Sequence, residues 1–186
     1  LNTSDDKLGR KESITYLTGL VGDEKADYSK SLDASGDIRN TTIFYYQGDP
    51  ADQRAENAQS QDALRQQHTY RGASINLNAP DQTQIESKTY LVGDVGDEKA
   101  DYSQSYRPNN GGIRNTTIFY YKGLTGNIKR ATDTNIETDD ALVEQHTYRG
   151  QVDSITFEIE PGVAGRLESK TFLVGLVGDE KADYSQ

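Results

Sequence analysis

One nineteen-residue stretch occurs three times in this chain, and that recurrence limits what the chain can become. The middle copy reads Glu86-Ser87-Lys88-Thr89-Tyr90-Leu91-Val92-Gly93-Asp94-Val95-Gly96-Asp97-Glu98-Lys99-Ala100-Asp101-Tyr102-Ser103-Gln104. The copy from Glu168 to Gln186 differs from it only at Phe172 and Leu176, and an earlier copy runs from Glu12 to Lys30. Near-identity inside one chain is the mark of a repeat array, in which each unit buries its apolar face against the next.

Two further motifs rotate with it. One is Ile38-Arg39-Asn40-Thr41-Thr42-Ile43-Phe44-Tyr45-Tyr46, repeated from Ile113 to Tyr121. The other is Gln67-His68-Thr69-Tyr70-Arg71-Gly72, repeated from Gln145 to Gly150. The order predicts an end of a preceding repeat at 1–11, a first cassette at 12–85, a second at 86–167, and the start of a third at 168–186. Cassette lengths are 86 − 12 = 74 and 168 − 86 = 82 residues. Most of the mismatch falls in loop-like segments, which hairpins tolerate. Both ends are expected to be cuts through a longer array.

The local signals are those of strands. Thr41-Thr42-Ile43-Phe44-Tyr45-Tyr46 is β-branched and aromatic throughout, which suits a pleated surface. Ser154 to Glu160 and Ser74 to Asn78 alternate apolar and polar, and each is expected to return from a His-Thr-Tyr-Arg-Gly strand as a hairpin. Gly93 to Gly96 reads as a turn, with Ala100, Tyr102 and Gln104 on one face of the returning strand. Ala51 to Gln67 has too few apolar residues for a packed helix and reads as an exposed loop with one helical turn. The expected fold is therefore all-β: hairpin repeats of about 25 residues, in cassettes of three, stacked into an elongated, spiralling or solenoid-like sheet.

Composition supports thin layers over one large core. Hydrophobic residues make up 33% of the chain, and its aromatics are twelve Tyr and four Phe with no Trp. A Tyr can bury its ring and keep its hydroxyl wet. The net charge of −10 repels a phosphate backbone, which argues against nucleic acid. No stretch approaches the ~20 apolar residues of a membrane-spanning helix, so membrane insertion is not expected. The chain has neither Cys nor Met, which removes thiol catalysis and disulfides and suits an oxidising exterior.

Thr117-Ile118-Phe119-Tyr120-Tyr121-Lys122-Gly123, followed by Thr125 to Asn135, resembles the Tyr-Asp (YD, or RHS-type) repeat, a strand ending in a Tyr-rich run and then a Gly turn. The Asp usual after the last Tyr is replaced by Lys122 here and by Gln47 in the first cassette. The whole chain also resembles giant tandem-repeat surface proteins of environmental bacteria. The resemblance implies secreted or surface β-structure, either an extracellular fibre or a shell around a toxin.

Candidate chemistry lies in the acidic clusters: Asp23, Glu24 and Asp27; Asp97, Glu98 and Asp101; Asp179, Glu180 and Asp183. Clustered carboxylate oxygens suit Ca²⁺. A Lys in the middle of each cluster, and the lack of an Asp-x-Asp-x-Asp-Gly loop, favour a solvated hairpin turn over a calcium site. His68 and His146, one per cassette, cannot form a multi-His metal site and are expected in cross-strand pairs. Recurrent carboxylates are decoration where a catalytic pair would occur once, so no enzyme is expected. Asn40, Asn115 and Asn2 each begin an Asn-x-Ser/Thr glycosylation pattern. Arg39 and Arg114 are expected to bridge to the acidic clusters of the neighbouring hairpin. Phe44-Tyr45-Tyr46 and Phe119-Tyr120-Tyr121 suit either a sugar-stacking platform or rings packed between successive hairpins, and the second is preferred.

These readings converge on a structural repeat protein of the extracellular space or cell surface, forming a filament whose partner is more of itself. An RHS-type shell wall, or an adhesin stalk binding calcium or surface glycans, are the alternatives.

Overall fold

The computed structural model describes residues 11–72, 75–109, 111–123, 126–133, 136–152 and 165–186. They form one open antiparallel sheet of twelve strands. Ten strands follow one another across it: β1 (Ser13–Thr18), β2 (Lys25–Leu32), β3 (Ile38–Tyr46), β5 (Leu64–Arg71), β6 (Ile85–Val92), β7 (Lys99–Tyr106), β8 (Ile113–Lys122), β10 (Ala141–Arg149), β11 (Leu167–Val174) and β12 (Lys181–Ser185). Two short strands, β4 (Gln53–Arg54) and β9 (Ile128–Arg130), pair alongside β3 and β8. Among the described residues there is no α-helix and hence no helix able to cross a membrane.

The three near-identical stretches form the hairpins β1–β2, β6–β7 and β11–β12. The turn between β6 and β7 begins at Gly93, whose φ of +125° is left-handed backbone, and a Cβ there would lie 2.6 Å from the Asp97 carbonyl oxygen. Only Gly meets both demands without strain. Past the turn, each returning strand carries one extra residue. The register runs Tyr90↔Tyr102 and then Leu91↔Ala100, so Asp101 is a β-bulge. Asp27 and Asp183 are the extra residues of the other two hairpins. Tyr102 and Gln104 share one face, as expected, opposite Ile118 and Thr116 of β8; Ala100 does not join them, because the bulge pairs it with Leu91, the neighbour of Tyr90, and turns it to the other face.

Strand alternation gives the sheet two unlike faces. One carries the cross-strand rows Tyr16–Tyr28–Ile43–His68–Lys88 and Tyr90–Tyr102–Ile118–His146–Lys170. The rings pair inside the hairpins: Tyr16 with Tyr28, Tyr90 with Tyr102 and Phe172 with Tyr184 stack at 4.3–4.5 Å between centroids. Ile43 and Ile118, on this face, are 0% exposed. The opposite face carries a hydroxyl row, Thr15–Ser29–Thr42–Thr69–Ser87–Ser105. Its members bond across strands, as in Thr42 to Thr69 at 2.9 Å, and Thr117 to Thr147 at 3.0 Å repeats this in the next cassette.

A single sheet can bury Ile43 so fully because loops form the second layer. Ile75 and Leu77 pack onto the cluster of Ile43, Tyr70 and Ile85. Here the expectation of a strand at Ser74 to Asn78 is corrected. Ile75 to Asn78 lie in a loop, and the strand returning beside β5 is β6. Their apolar side chains plug the core, and Asn76 closes a local turn by accepting from the Asn78 N–H at 3.1 Å. Ser74, and the expected strand at Ser154 to Glu160, lie outside the described residues. The stretch from Ala51 to Gln67 also differs from expectation: it holds β4, two turns and the first residues of β5, with no helical turn.

Ile118→Ala should therefore cost about 2–5 kcal/mol, the usual range for emptying a closed apolar site. Thr117→Ala, one residue along on the hydroxyl face, should cost no more than about 1.5 kcal/mol. Urea titration of both variants measures the difference.

Candidate functional site

The recurrent Gly-Asp-Glu-Lys-Ala-Asp segment is the place to look for function, and each of its residues can be followed through two complete copies. The bulge turns the last Asp toward the following loop, where an Arg meets it. Arg54 Nε donates to Asp27 Oδ1 at 2.8 Å, and its Nη2 donates to the other carboxylate oxygen. In the second cassette Arg130 Nε donates to Asp101 Oδ1 at 3.0 Å, with Nη2 on Oδ2. Asp101 is 3% exposed and Arg130 is 4% exposed. Burial pushes the Asp101 carboxyl above its ordinary value, and the guanidinium opposes that rise. A two-point Arg–carboxylate fork is directional as well as strong.

The Lys works on the same loop. Lys25 Nζ donates to the carbonyls of Ser60 and Asp62 at 3.1 and 2.8 Å, and lies 4.8 Å from the centre of the Tyr46 ring. Lys99 does the same with Thr138 and Asp140 at 3.0 and 2.8 Å, above Tyr121. The Ala supplies its carbonyl: Tyr46 Oη donates to Ala26 at 2.8 Å and Tyr121 Oη to Ala100 at 2.7 Å. Burial pushes the Tyr46 hydroxyl up to about 12 and Tyr121 higher still, so both remain donors at any physiological pH.

The Glu faces the other way along the sheet. Glu98 accepts from Gly96 N–H within its own turn at 3.0 Å and from Leu64 N–H, at the start of β5, at 2.9 Å. Glu180 repeats the pattern with Gly178 and Leu142, at 2.9 and 3.2 Å. Burial raises the Glu180 carboxyl, but the donated N–H groups of Leu142 and Gly178 and the charge of Lys99 outweigh it and hold it below its ordinary value. Glu24 accepts from Gly22 N–H at 2.9 Å and is otherwise exposed. Asp23, Asp97 and Asp179 are exposed in the turns. A groove of about 460 Å³ runs past Asp94, Asp97 and Lys99 to residues 136–139.

Among the described residues, no three His, Cys, Asp or Glu side chains converge as metal ligands would. The contacts make the motif an adaptor: the Glu reaches back to the preceding strand pair, while the Lys, Ala and Asp reach forward to the next loop. The bridging arginines are not those expected. Arg39 and Arg114 are exposed on β3 and β8: each is the unpaired residue of a register shift at the entry of its strand, while Asp27 and Asp101 lie beyond Ile43 and Ile118 toward the other end. Arg54 and Arg130 make the bridges from β4 and β9. Their one available signal is a shared distance from the Tyr pair, but the spacings differ, 54 − 46 = 8 against 130 − 121 = 9.

His68 and His146 sit in cross-strand rows, as expected. His68 Nε2 lies 2.9 Å from Gln66 Oε1 and its ring 4.7 Å from that of Tyr45. His146 lies 2.7 Å from Glu144 and 4.5 Å from the Tyr120 ring. Burial lowers the His68 pKa to about 4, with Lys88 across the strand pair adding to the effect. His146 is lowered by burial, partly offset by Glu144. Of the glycosylation patterns, Asn40 and Asn115 lie within β3 and β8, where the buried Thr116 hydroxyl donates to the Gly150 carbonyl at 2.8 Å. Asn2 is outside the described residues. Tyr45 and Tyr120 pack with the core clusters, whereas Tyr46 and Tyr121 are buried outside them, with their hydroxyls on Ala26 and Ala100.

Searches against protein-family models, curated proteins and solved structures find no match for this chain.

Two outcomes test this geometry. Asp101→Ala removes the carboxylate that the buried Arg130 grips and should cost about 3–5 kcal/mol, whereas Asp101→Leu with Arg130→Met should recover most of it; urea titration reports both. The His68 imidazole binds its proton less readily folded than unfolded, so stability is full above pH 6.5 and falls as pH drops toward 4. Thermal melts across that window should show the fall, and His68→Gln should make it shallower.

Proposed function

We propose that this chain is a non-catalytic building unit of an extracellular or cell-surface filament, extended by adding hairpin repeats edge to edge. One observation carries the reading. The recurring motif spends its charged and polar groups on joining one repeat to the next, Glu98 backward to Leu64 and Asp101 forward to Arg130. A chain whose most repeated residues serve the joints is organised for continuation, since repeat arrays gain stability from neighbour interfaces. The open sheet is consistent with this: among the described residues β1 and β12 each pair on one side only, and an unpaired edge is a template for another strand. The resemblance to YD-type repeats and to giant bacterial surface proteins, and the lack of Cys and Met, favour a location outside the cell. Its partner is itself; calcium or glycans, if bound, act as accessories.

Negative-stain electron microscopy of the purified protein at rising concentration should show filaments. Closed capsules would favour a shell wall of the RHS type, and single particles at every concentration would overturn the reading. Chelation with EDTA should leave the melting temperature unchanged, because Asp27 and Asp101 are already held by Arg and Glu24, Glu98 and Glu180 by backbone N–H groups.

A further inference from the structure

Each repeated hairpin carries one ring-on-ring contact at the same place on the aromatic face. Tyr90 lies on Tyr102 with centroids 4.4 Å apart and planes 18° from parallel, and Tyr16 lies on Tyr28 at 4.3 Å and 15°. In the last hairpin the same stack, at 4.5 Å and 17°, is made by Phe172 and Tyr184. The two residues of each pair stand directly opposite one another, and the register shift that follows at once fixes that alignment. The hydroxyls of Tyr90 and Tyr102 are in hydrogen-bond contact, so both phenols point the same way and the carbons beside their oxygens face each other. Packing alone does not require a phenol here, since Phe172 makes the same stack.

We infer that Tyr90 with Tyr102, and Tyr16 with Tyr28, are sites of oxidative coupling, at which a haem peroxidase fed with hydrogen peroxide joins the two rings as a dityrosine. Each phenol gives up one electron and its hydroxyl proton. The two phenoxyl radicals then form a carbon–carbon bond between ring positions ortho to oxygen. The hydrogens on those carbons leave as protons, and the oxygens are protonated again as the rings recover aromaticity. The pair loses two hydrogens in all, and one peroxide takes up two electrons and two protons to become two waters. The inference goes beyond the filament reading and does not depend on it, because the bond lies within one hairpin.

Composition directs the oxidant to these rings. Cys and Met are the side chains that oxidants ordinarily consume first. This chain has neither, and no Trp, while it has twelve Tyr. Placement then selects among the tyrosines. Tyr70 is 0% exposed and Tyr120 is 4% exposed, so their rings are closed to an enzyme. Tyr90 and Tyr102 are half-buried, which leaves ring edge open for an electron to depart while neighbouring side chains keep a second molecule's radical at a distance. A phenoxyl formed on either ring has its partner already beneath it, and a reaction between groups held in contact outruns one that awaits a collision. The product ties β6 to β7 through their side chains and closes the chain between residues 90 and 102. Such a link acts by restricting the unfolded chain, as a disulfide does, in a protein that has no thiol to make one.

The test treats the dilute full chain, as an equal mixture of ordinary and heavy-nitrogen protein, with hydrogen peroxide and a haem peroxidase. Trypsin then separates the partners, because a Lys lies between the two rings of every hairpin. Mass spectrometry should find peptide 89–99 joined to 100–114, and 12–25 joined to 26–30, each lighter by two hydrogens than its parts and of unmixed isotope. Fragmentation should place the first link on Tyr102 at least tenfold more often than on Tyr106. Peptide 171–181, which carries Phe172, should stay free of 182–186, and Phe172→Tyr should install the missing link. Tyr90→Phe should abolish the link in its own hairpin and leave that of Tyr16 and Tyr28 at its original yield. Circular dichroism checks that both variants keep the sheet, as the Phe172 stack indicates they will. Links spread over tyrosines without regard to the stacked pairs, links of mixed isotope, hydroxylated tyrosine without links, or a Phe172→Tyr chain that gains none would each overturn the inference.

Discussion

An aspartate forced out of register by a β-bulge, and gripped by an arginine from the following loop, is the joint on which this structure turns. Without the bulge, Asp101 would take an ordinary place in the alternation of β7 and face away from β9. With it, the carboxylate lies beneath the loop and fixes Arg130, Arg130 fixes β9, and β9 closes over the Tyr120 end of β8. A buried charge pair is weak evidence of net stability but a strong device for choosing one arrangement over its neighbours. Its role here is to decide how a strand of ordinary β propensity meets the next one, in a sheet where many registers would satisfy the backbone.

The loops do for this sheet what a second sheet does in a sandwich. Ile75 and Leu77 cover the core of Ile43, Tyr70 and Ile85, and in the next cassette Val152 sits with Ile118, Tyr120 and Tyr148. The other face needs no cover, because Thr and Ser hydroxyls pair with one another across the strands. A protein poor in Leu and Phe can thus build a long sheet by making each apolar patch small and covering it locally.

How much of this can be read from residues alone follows from what kind of interaction is involved. The strands are legible because β-branched and aromatic runs and Gly turns are local signals, and the three hairpins follow from them. The role of Tyr102 and Gln104 is legible from alternation. Arg54 and Arg130 are not, because what makes them equivalent is their contact with Asp27 and Asp101, while their spacing from the Tyr pair differs by one residue. Ile75 and Leu77 alternate as a strand would, yet they fill a hole, since whether an alternating segment pairs or plugs depends on a cavity formed by distant strands. Arg39 and Arg114 look like bridging residues because of their charge, but they sit at the entry of β3 and β8, at the opposite end of the strand from the bulged Asp27 and Asp101.

Strands adjacent in the chain are, with few exceptions, adjacent in the sheet, from β1 across to β12. Contacts close to home form early, because little loop entropy is lost in making them. Such a chain need not be complete before it begins to order itself. Each hairpin can set as it emerges and then serve as the surface on which the next is laid, so growth and folding become one process with one direction. The sheet would order from the end that appears first, strand upon strand, at the pace of its own delivery.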